Sequence, residues 1–322
     1  MKGLRFAQKS ITHIRRPVVW LRKFRPQRRT PKAEMDFVPH PMPDTGLNVN
    51  IMSFNIRSGT AQDGRNHWIY RSYRVHEILN HYRPDVLGLQ EALDFQISAV
   101  SAMLPGYEKV GCGNLGGNRG QHTAIFYDSA RFVPSAEGTF WFSKTPDIPG
   151  SRGWGNIIPR TCTWARLIDK ETEQAFYFYN VHLDHLSLRS RKNSVILLTR
   201  HIHARHSPDP FILAGDFNAR EKTSPIQYLK GNIPLKIKTK EVVLNPVPLL
   251  DTFRVRNPHH RNVATFHGYR RLLFRFKLDY IFVPSSIRVQ DARIIQVRWK
   301  KCYPSDHFPL YTQINMSSRE EL

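Results

Sequence analysis

Six short stretches hold the residues best suited to chemistry. Leu89-Gln90-Glu91 carries a carboxylate at the end of an apolar run, and Asn180-Val181-His182-Leu183-Asp184-His185 ends another run with an imidazole. Gly215-Asp216-Phe217-Asn218 sets an acid and an amide two residues apart, on one face if the chain is extended. Ser305-Asp306-His307 follows a proline, Pro304. Ser53-Phe54-Asn55 and Lys277-Leu278-Asp279-Tyr280 complete the set. Oxygen donors without a cysteine cage suit Mg2+ or Mn2+, held by one or two carboxylates with substrate phosphate filling other positions. Such an ion polarises a phosphoryl oxygen and stabilises charge in an in-line displacement. Histidines beside carboxylates donate protons or stabilise developing charge. No serine or cysteine is set up as a nucleophile, so water is the expected attacker. Singly, each motif has a bland reading: Gly-Asp-x-Asn is often only a turn, and a strand-end histidine is more often structural. Six together, each at a strand end, make coincidence a poor account.

The surrounding pattern supplies elements to position them. Leu47–Asn55 reads as a strand with Val49 and Ile51 on one face. His67–Tyr82 reads as a helix with Trp68, Val75, Ile78, Leu79 and Tyr82 on one side, broken by Pro84 before a short strand over 85–90. Strands are also expected over 123–127, 161–168, 176–183, 211–214, 280–283 and 288–297. A long basic helix is expected over 187–206, with Val195, Leu198 and Ile202 inward. Strands and helices spread through the whole chain predict an α/β (α+β) protein with two packed sheets and outer helices.

Composition narrows the class. The chain has 322 residues, 40% hydrophobic and 23% charged, which excludes a largely disordered protein. Its 48 Lys and Arg against 26 Asp and Glu leave a formal charge of +22, so a polyanionic partner is expected. Cys112, Cys162 and Cys302 are odd in number and widely spaced; they make no disulfide framework, and no CxxC pair exists for zinc. No apolar run approaches the roughly 20 residues that span a bilayer. Residues 1–46 stand apart, with eleven Lys/Arg and no acid up to Lys32, and six prolines. They read as a disordered basic tail, with added affinity for nucleic acid or an anionic membrane, or a transit peptide, as further readings. The Val18–Leu21 patch is too short for a signal-peptide core of about 7–15 residues. A folded domain is expected over 47–316, a short tail over 317–322, and an intracellular monomer.

Several motifs fail on context. Gly111-x-Gly113-x-x-Gly116 matches a dinucleotide fingerprint by letter, but a strand follows, not a helix whose N-terminus would hold pyrophosphate. It reads as a flexible glycine loop. His76-Glu77 with His81 is one residue too long for a zinc-protease helix. His201, His203 and His206 read as solvated helix residues.

The ordered set Phe54-Asn55, Gln90-Glu91, His182, Gly215-Asp216-Phe217-Asn218, Asp279-Tyr280 and Ser305-Asp306-His307 resembles the endonuclease/exonuclease/phosphatase superfamily, with its DNase-I-like four-layer sandwich. The likeness covers about 47 to 316. The wording around 139–166 and 180–187 is most similar to a broad bacterial branch. The resemblance implies Glu91 as principal metal ligand, with Asn55 beside it and Asp306 as a further ligand or organiser. It implies that Asp216 orients or deprotonates the attacking water and that Asn218 hydrogen-bonds the phosphoryl oxygen. His307 would contact the scissile phosphate, with Asp279 holding and charging its ring. His182 would be the second histidine and Arg160 the phosphate-contacting arginine.

The departures are informative. In DNase-like members a glutamate pairs with the first histidine; here Gln121 stands there, and an amide cannot raise the His182 pKa as a carboxylate would. Arg57 replaces the aspartate of the abasic-site branch, and His182 its tyrosine, which argues against abasic-site repair. Phe276–Tyr280 lacks the Trp-Cys-Asp-Arg motif of the inositol-phosphatase branch.

For the substrate, Arg254–Lys277 holds seven Lys/Arg and no acid, interleaved with Phe266, Tyr269, Phe274 and Phe276. A basic, aromatic rim fits phosphate tracking with base stacking, so a nuclease with little sequence preference is expected. The alternatives are an esterase of the same fold acting on lipid head groups or small phosphates, for which Trp141-Phe142 and Trp154 would be the membrane-facing residues, and a non-catalytic nucleic-acid-binding protein.

Overall fold

The computed structural model describes residues 45–236, 241–269, 276–299 and 302–316. The elements run β1 (Leu47–Asn55), α1 (Trp68–Tyr82), β2 (Val86–Ala92), α2 (Asp94–Met103), β3 (Tyr107–Val110), β4 (His122–Asp128), β5 (Phe132–Trp141), β6 (Thr161–Asp169), β7 (Ala175–His182), α3 (Leu188–His203), β8 (Phe211–Asp216) and α4 (Ser224–Leu229). They continue with β9 (Leu235–Lys236), β10 (Val242–Val243), β11 (Leu250–Asp251), α5 (Thr252–Arg256), β12 (Asp279–Val283), β13 (Arg288–Ile294) and β14 (Leu310–Met316). The tail readings for 1–44 and 317–322 lie outside the described residues, as do Arg270, Arg271, Phe274 and Arg275.

Two six-stranded sheets face each other, in the orders β13-β14-β1-β2-β4-β3 and β11-β12-β8-β7-β6-β5. Each has one parallel pair, β1 with β2 and β7 with β8, and is otherwise antiparallel. The parallel pairs are joined by helical crossovers, as parallel strands require. Trp68, Val75, Ile78 and Leu79 of α1 pack with Met52 and Phe54 on one outer face, and Val195, Leu198 and Ile202 of α3 pack with Leu213 and Tyr179 on the other. Four layers result, as the sequence predicts.

Strand alternation decides where the acids go. Val49 and Ile51, Phe176 and Phe178, Ile212 and Ala214, and Ile281 and Val283 all enter the core between the sheets. Counting by two along each strand places Asn55, His182, Asp216 and Asp279 on those same inner faces, at one end of the core. A polar clasp joins the sheets just below: Asn180 Nδ2 donates to the carbonyls of Leu89 (2.9 Å) and Ala124 (2.8 Å), and its Oδ1 accepts from Gln90 Nε2 at 2.7 Å.

Nine of these elements lie outside the expected set: α2, β3, β5 and β14, and the short α4, β9, β10, β11 and α5. The strand expected to reach residue 297 ends at Ile294. His201 is not a solvated residue: it stacks on Phe140 at 4.5 Å, beside Trp164 and Tyr179. Among the described residues no helix is long and apolar enough to cross a membrane.

Burial pulls the His201 pKa below its ordinary 6.5, with Asp147 opposing. The unfolded ring therefore takes up a proton that the folded ring refuses. The stability from this site is complete above about 6.5 and is lost as pH falls below it. Between pH 7 and pH 5 we expect the melting temperature of His201→Phe to fall less than that of the wild type; identical falls would show that this ring does not titrate with unfolding. At Gly215 (φ 139°) an added Cβ would lie 2.1 Å from the Val181 carbonyl oxygen. Gly215→Ala should force β7 and β8 apart and cost about 1–3 kcal/mol in denaturant unfolding.

Candidate active site

The inner ends of β1, β2, β7, β8 and β12, with the turn before β14, enclose a cleft of about 660 Å3. Register builds its floor. Asp279 sits opposite Asp216 in the β12–β8 pair, and His182 opposite Asp216 in the β7–β8 pair. Asn55 reaches across from the first sheet, its amide nitrogen 3.0 Å from Asp216 Oδ2 and 3.1 Å from Glu91 Oε1. Glu91 would point away from the cleft in a regular strand. The β2–β4 pairing is interrupted between Leu89 and Ala92, and Glu91 has φ 64°, so a bulge turns its carboxylate inward. Among the described residues seven non-glycine residues have positive φ, and four of them (Arg57, Glu91, Asn218 and Tyr269) line this cleft. Strain of this kind persists where surrounding structure over-determines it, and it gathers at functional sites.

The His307 ring is held by Asp279, its Nδ1 donating to Oδ2 at 2.8 Å, while Nε2 stands 3.8 Å from Asp216. Burial works against the imidazolium, but Asp279 and Asp216 outweigh it and hold the His307 pKa up at about 10. Burial and the nearby Asp279 charge push Asp216 up to about 7, against the pull of His307. Burial also raises Glu91, yet Arg57, the Ser58 N–H at 3.0 Å and His307 together bring it below the ordinary carboxylate range. Asp306 is raised, chiefly by burial.

His182 does not pair with Gln121. Its ring meets Arg160 instead, with Nη1 2.9 Å from Nε2 and 3.1 Å from Nδ1, while Gln121 bonds Asn114 through its backbone, its N–H donating to Asn114 Oδ1 and its carbonyl accepting from the Asn114 N–H. Burial first, then the Arg160 charge, drives the His182 pKa well down. The ring is therefore neutral, as the missing carboxylate suggested, but a guanidinium adds to the cause. Arg160 is itself buried, donates to His185 Nδ1 at 2.7 Å and lies 3.7 Å from Asp184. Asn218 lines the cleft while its side-chain nitrogen donates to the Leu183 carbonyl.

Other cleft residues carried no role in the sequence reading. Arg57 stands between Glu91 (3.9 Å) and Asp306 (3.7 Å) and is anchored by Asp63 at 3.0 Å. Asp184 and His185 lie in the same strand-end motif as His182 and meet Arg160 from its other side. Fully buried Arg71 donates to the carbonyls of Ile56, Arg57, Asn66 and Pro304 and ties two cleft loops together. Its place on the first helix resembles any surface arginine, so no sequence signal marks it.

The basic rim requires correction. Lys277 is buried in ion pairs with Asp251 and Glu221, and Arg254 is clamped by the same Glu221 at 2.7 Å. Neither lines the cleft. Phe266 does approach the site, 4.9 Å from the His307 ring, and Tyr269 lines it too.

The donor set suits a hard divalent cation. Asp216, Asp279 and His307 converge within 4.8 Å, and with the His307 ring held protonated the carboxylates are the groups left to hold a cation. Glu91 and Asp306 add carboxylates on the facing wall, where the charge of Arg57 stands between them. Asn55 Oδ1 is accepting from the Arg57 N–H, which makes Asn55 a brace between carboxylates.

Comparison with known proteins places this architecture. The chain is similar to the crystal structure of an endonuclease/exonuclease/phosphatase from Bacteroides vulgatus, at 28% identity and TM-score 0.76 over 84% of this chain and 100% of that one. It is also similar to a mannosyl-6-phosphatase from Bacteroides thetaiotaomicron, at 28% identity and TM-score 0.72 over 83% and 99%. An uncharacterized protein, L388, of Acanthamoeba polyphaga mimivirus is 30% identical over 164 residues, covering 48% of this chain and 60% of the length of that relative. The sequence profile of the Endonuclease/Exonuclease/phosphatase family matches residues 52–307. With that match laid over the two-sheet sandwich and its acidic cleft, the chain belongs to the endonuclease/exonuclease/phosphatase family, whose members hydrolyse phosphoester bonds.

Proposed function

We propose that this chain hydrolyses a phosphate ester with water, assisted by a divalent cation, Mg2+ or Mn2+, in the cleft. The observation that carries the reading is the meeting of Asp216, Asp279 and His307 with Glu91 and Asn55 from the opposite sheet. Glu91 and Asp306 would hold the cation, with Asn55 fixing Glu91. When bound, that cation supplies charge stabilisation at the phosphoryl oxygen.

The chain's own residues have separable tasks. Asp216, braced by Asn55 and the Asn218 N–H, is placed to orient water and accept its proton. His307, kept charged by Asp279, presents Nε2 toward the cleft to stabilise charge on the phosphoryl oxygens. His182 is neutral, so it donates a hydrogen bond and is a poor acid. Arg160 and Arg57 supply fixed positive charge for the anionic group.

For the substrate, a small or head-group phosphate ester is the reading the geometry supports best. Two of the cations offered for tracking a nucleic-acid backbone, Arg254 and Lys277, are engaged internally. The similarity to a mannosyl-6-phosphatase supports the same choice. A nuclease is the second reading, favoured by the formal charge of +22.

Glu91→Gln should abolish cation-dependent turnover and weaken Mg2+ binding by calorimetry while leaving the unfolding transition in place; turnover that survives in EDTA would refute the metal role. His307→Gln should lower kcat by about 10²–10⁴-fold. Purified protein with Mg2+ or Mn2+ should be offered sugar phosphates, a phosphodiester dye ester, phospholipids, single- and double-stranded DNA, and RNA. Turnover of the small or lipid esters in preference to polynucleotides supports the first reading, and the reverse order the second.

A further inference from the structure

Beside the cleft, sharing Gln121 and Ile158 with it, lies a second hollow of about 530 Å3. Its walls come from the β3–β4 loop (Asn114, Leu115, Gly120) and the β5–β6 loop (Gly150, Arg152, Ile157, Pro159). The lip around it is unusually apolar for a surface. Ile157 is 66% exposed, Leu186 62% and Ile148 56%, and Leu115, Ile158 and Leu188 are exposed as well. Packing holds these segments together. Ser187, between the two leucines, donates to the Trp154 carbonyl at 2.9 Å, and a Cβ on Gly116 would touch Pro149 at 3.0 Å. Exposed aliphatic side chains gathered at one edge mark an interaction surface.

Charge selects the occupant. Residues 113–120, 143–158 and 185–192 hold Arg119, Lys144, Arg152, Arg189 and Lys192 against one acid outside the buried core, Asp147, while Arg191 turns inward to the Asp184 carbonyl. A basic rim around aliphatic side chains complements an anionic surface with hydrocarbon beneath it. A single-stranded nucleic acid would need aromatic platforms for its bases. The expected membrane aromatics do not provide them: Trp141 and Phe142 are buried, and Trp154 packs against the core.

We propose that this lip docks the protein on an anionic lipid surface, so that phosphate-ester head groups enter the cleft from the membrane. The head-group consequence rests on the phosphate-ester reading above; the docking itself does not.

The test compares full-length wild type with Ile148→Glu/Ile157→Glu/Leu186→Glu, all exposed and outside the cleft, for co-sedimentation with phosphatidylglycerol-containing and pure phosphatidylcholine vesicles. Wild type should bind the anionic vesicles, and the triple variant should bind at least about tenfold more weakly, with unchanged unfolding midpoint and unchanged hydrolysis of a soluble phosphate ester. Lys144→Glu/Arg189→Glu should weaken binding to the anionic vesicles too. Equal binding of wild type and triple variant to vesicles overturns the proposal, and so does a defect confined to single-stranded oligonucleotide. Lip-dependent vesicle binding by a protein that hydrolyses no phosphate ester would leave the docking intact and refute the catalytic reading alone.

Discussion

Five acids, Glu91, Asp184, Asp216, Asp279 and Asp306, gather at one end of an apolar two-sheet core, four of them buried and Glu91 nearly so. An unpaired charge there would cost several kcal/mol. The fold tolerates them by alternating sign: His307 stands among Asp279, Asp216 and Asp306, Arg57 between Glu91 and Asp306, and Arg160 beside Asp184. Every other feature of the cleft follows from that alternation. It keeps one imidazole charged and the other neutral, and it leaves a carboxylate on each wall.

Holding that arrangement requires the two sheets to keep one relative position. The Asn180–Gln90 clasp does so through hydrogen bonds that are worth most where water is excluded. The Asn55 bridge to Asp216 then joins the same sheets at the chemical end. The bulge at Glu91 and the left-handed backbone at Arg57, Asn218 and Tyr269 are tolerated because packing fixes both sides of each. Rigid sheets and strained loops are in this sense one device: the first supplies the reference frame, and the second turns side chains into it.

Much of this was legible in the residues. Alternation in β1 and β7, the periodicity of α1 and α3, and the acid-bearing ends of β2, β8 and β12 are all explicit in the sequence. What escaped it has physical causes. β14 carries Thr312, Gln313 and Asn315, which read as surface, yet each is buried with partners from distant strands, such as Thr312 bonding the Asp291 carbonyl. β5 lies at a sheet edge with much of its length exposed, so its apolar signal is thin. Arg254 and Lys277 looked like free cations because Glu221 and Asp251, their partners, are remote in sequence. Similarly, no local pattern reveals that Arg160 takes the place beside His182 that was expected of Gln121.

Arg71 sets a boundary on how this cleft can diversify. Its guanidinium satisfies four carbonyls, from the segment after β1 and from the turn that carries Asp306 and His307. An insertion between β1 and α1 would pull acceptors off that fork and drag the histidine turn with them. The opposite side is built differently. Between β5 and β6 the backbone is held largely by its own short turns, such as Ile148 to Thr145 and Ser151 to Ile148. Lengthening or recolouring those turns pulls no acceptor off the Arg71 fork. Descendants of this scaffold would therefore acquire new preferences along the β5–β6 margin while the wall under Arg71 kept its length.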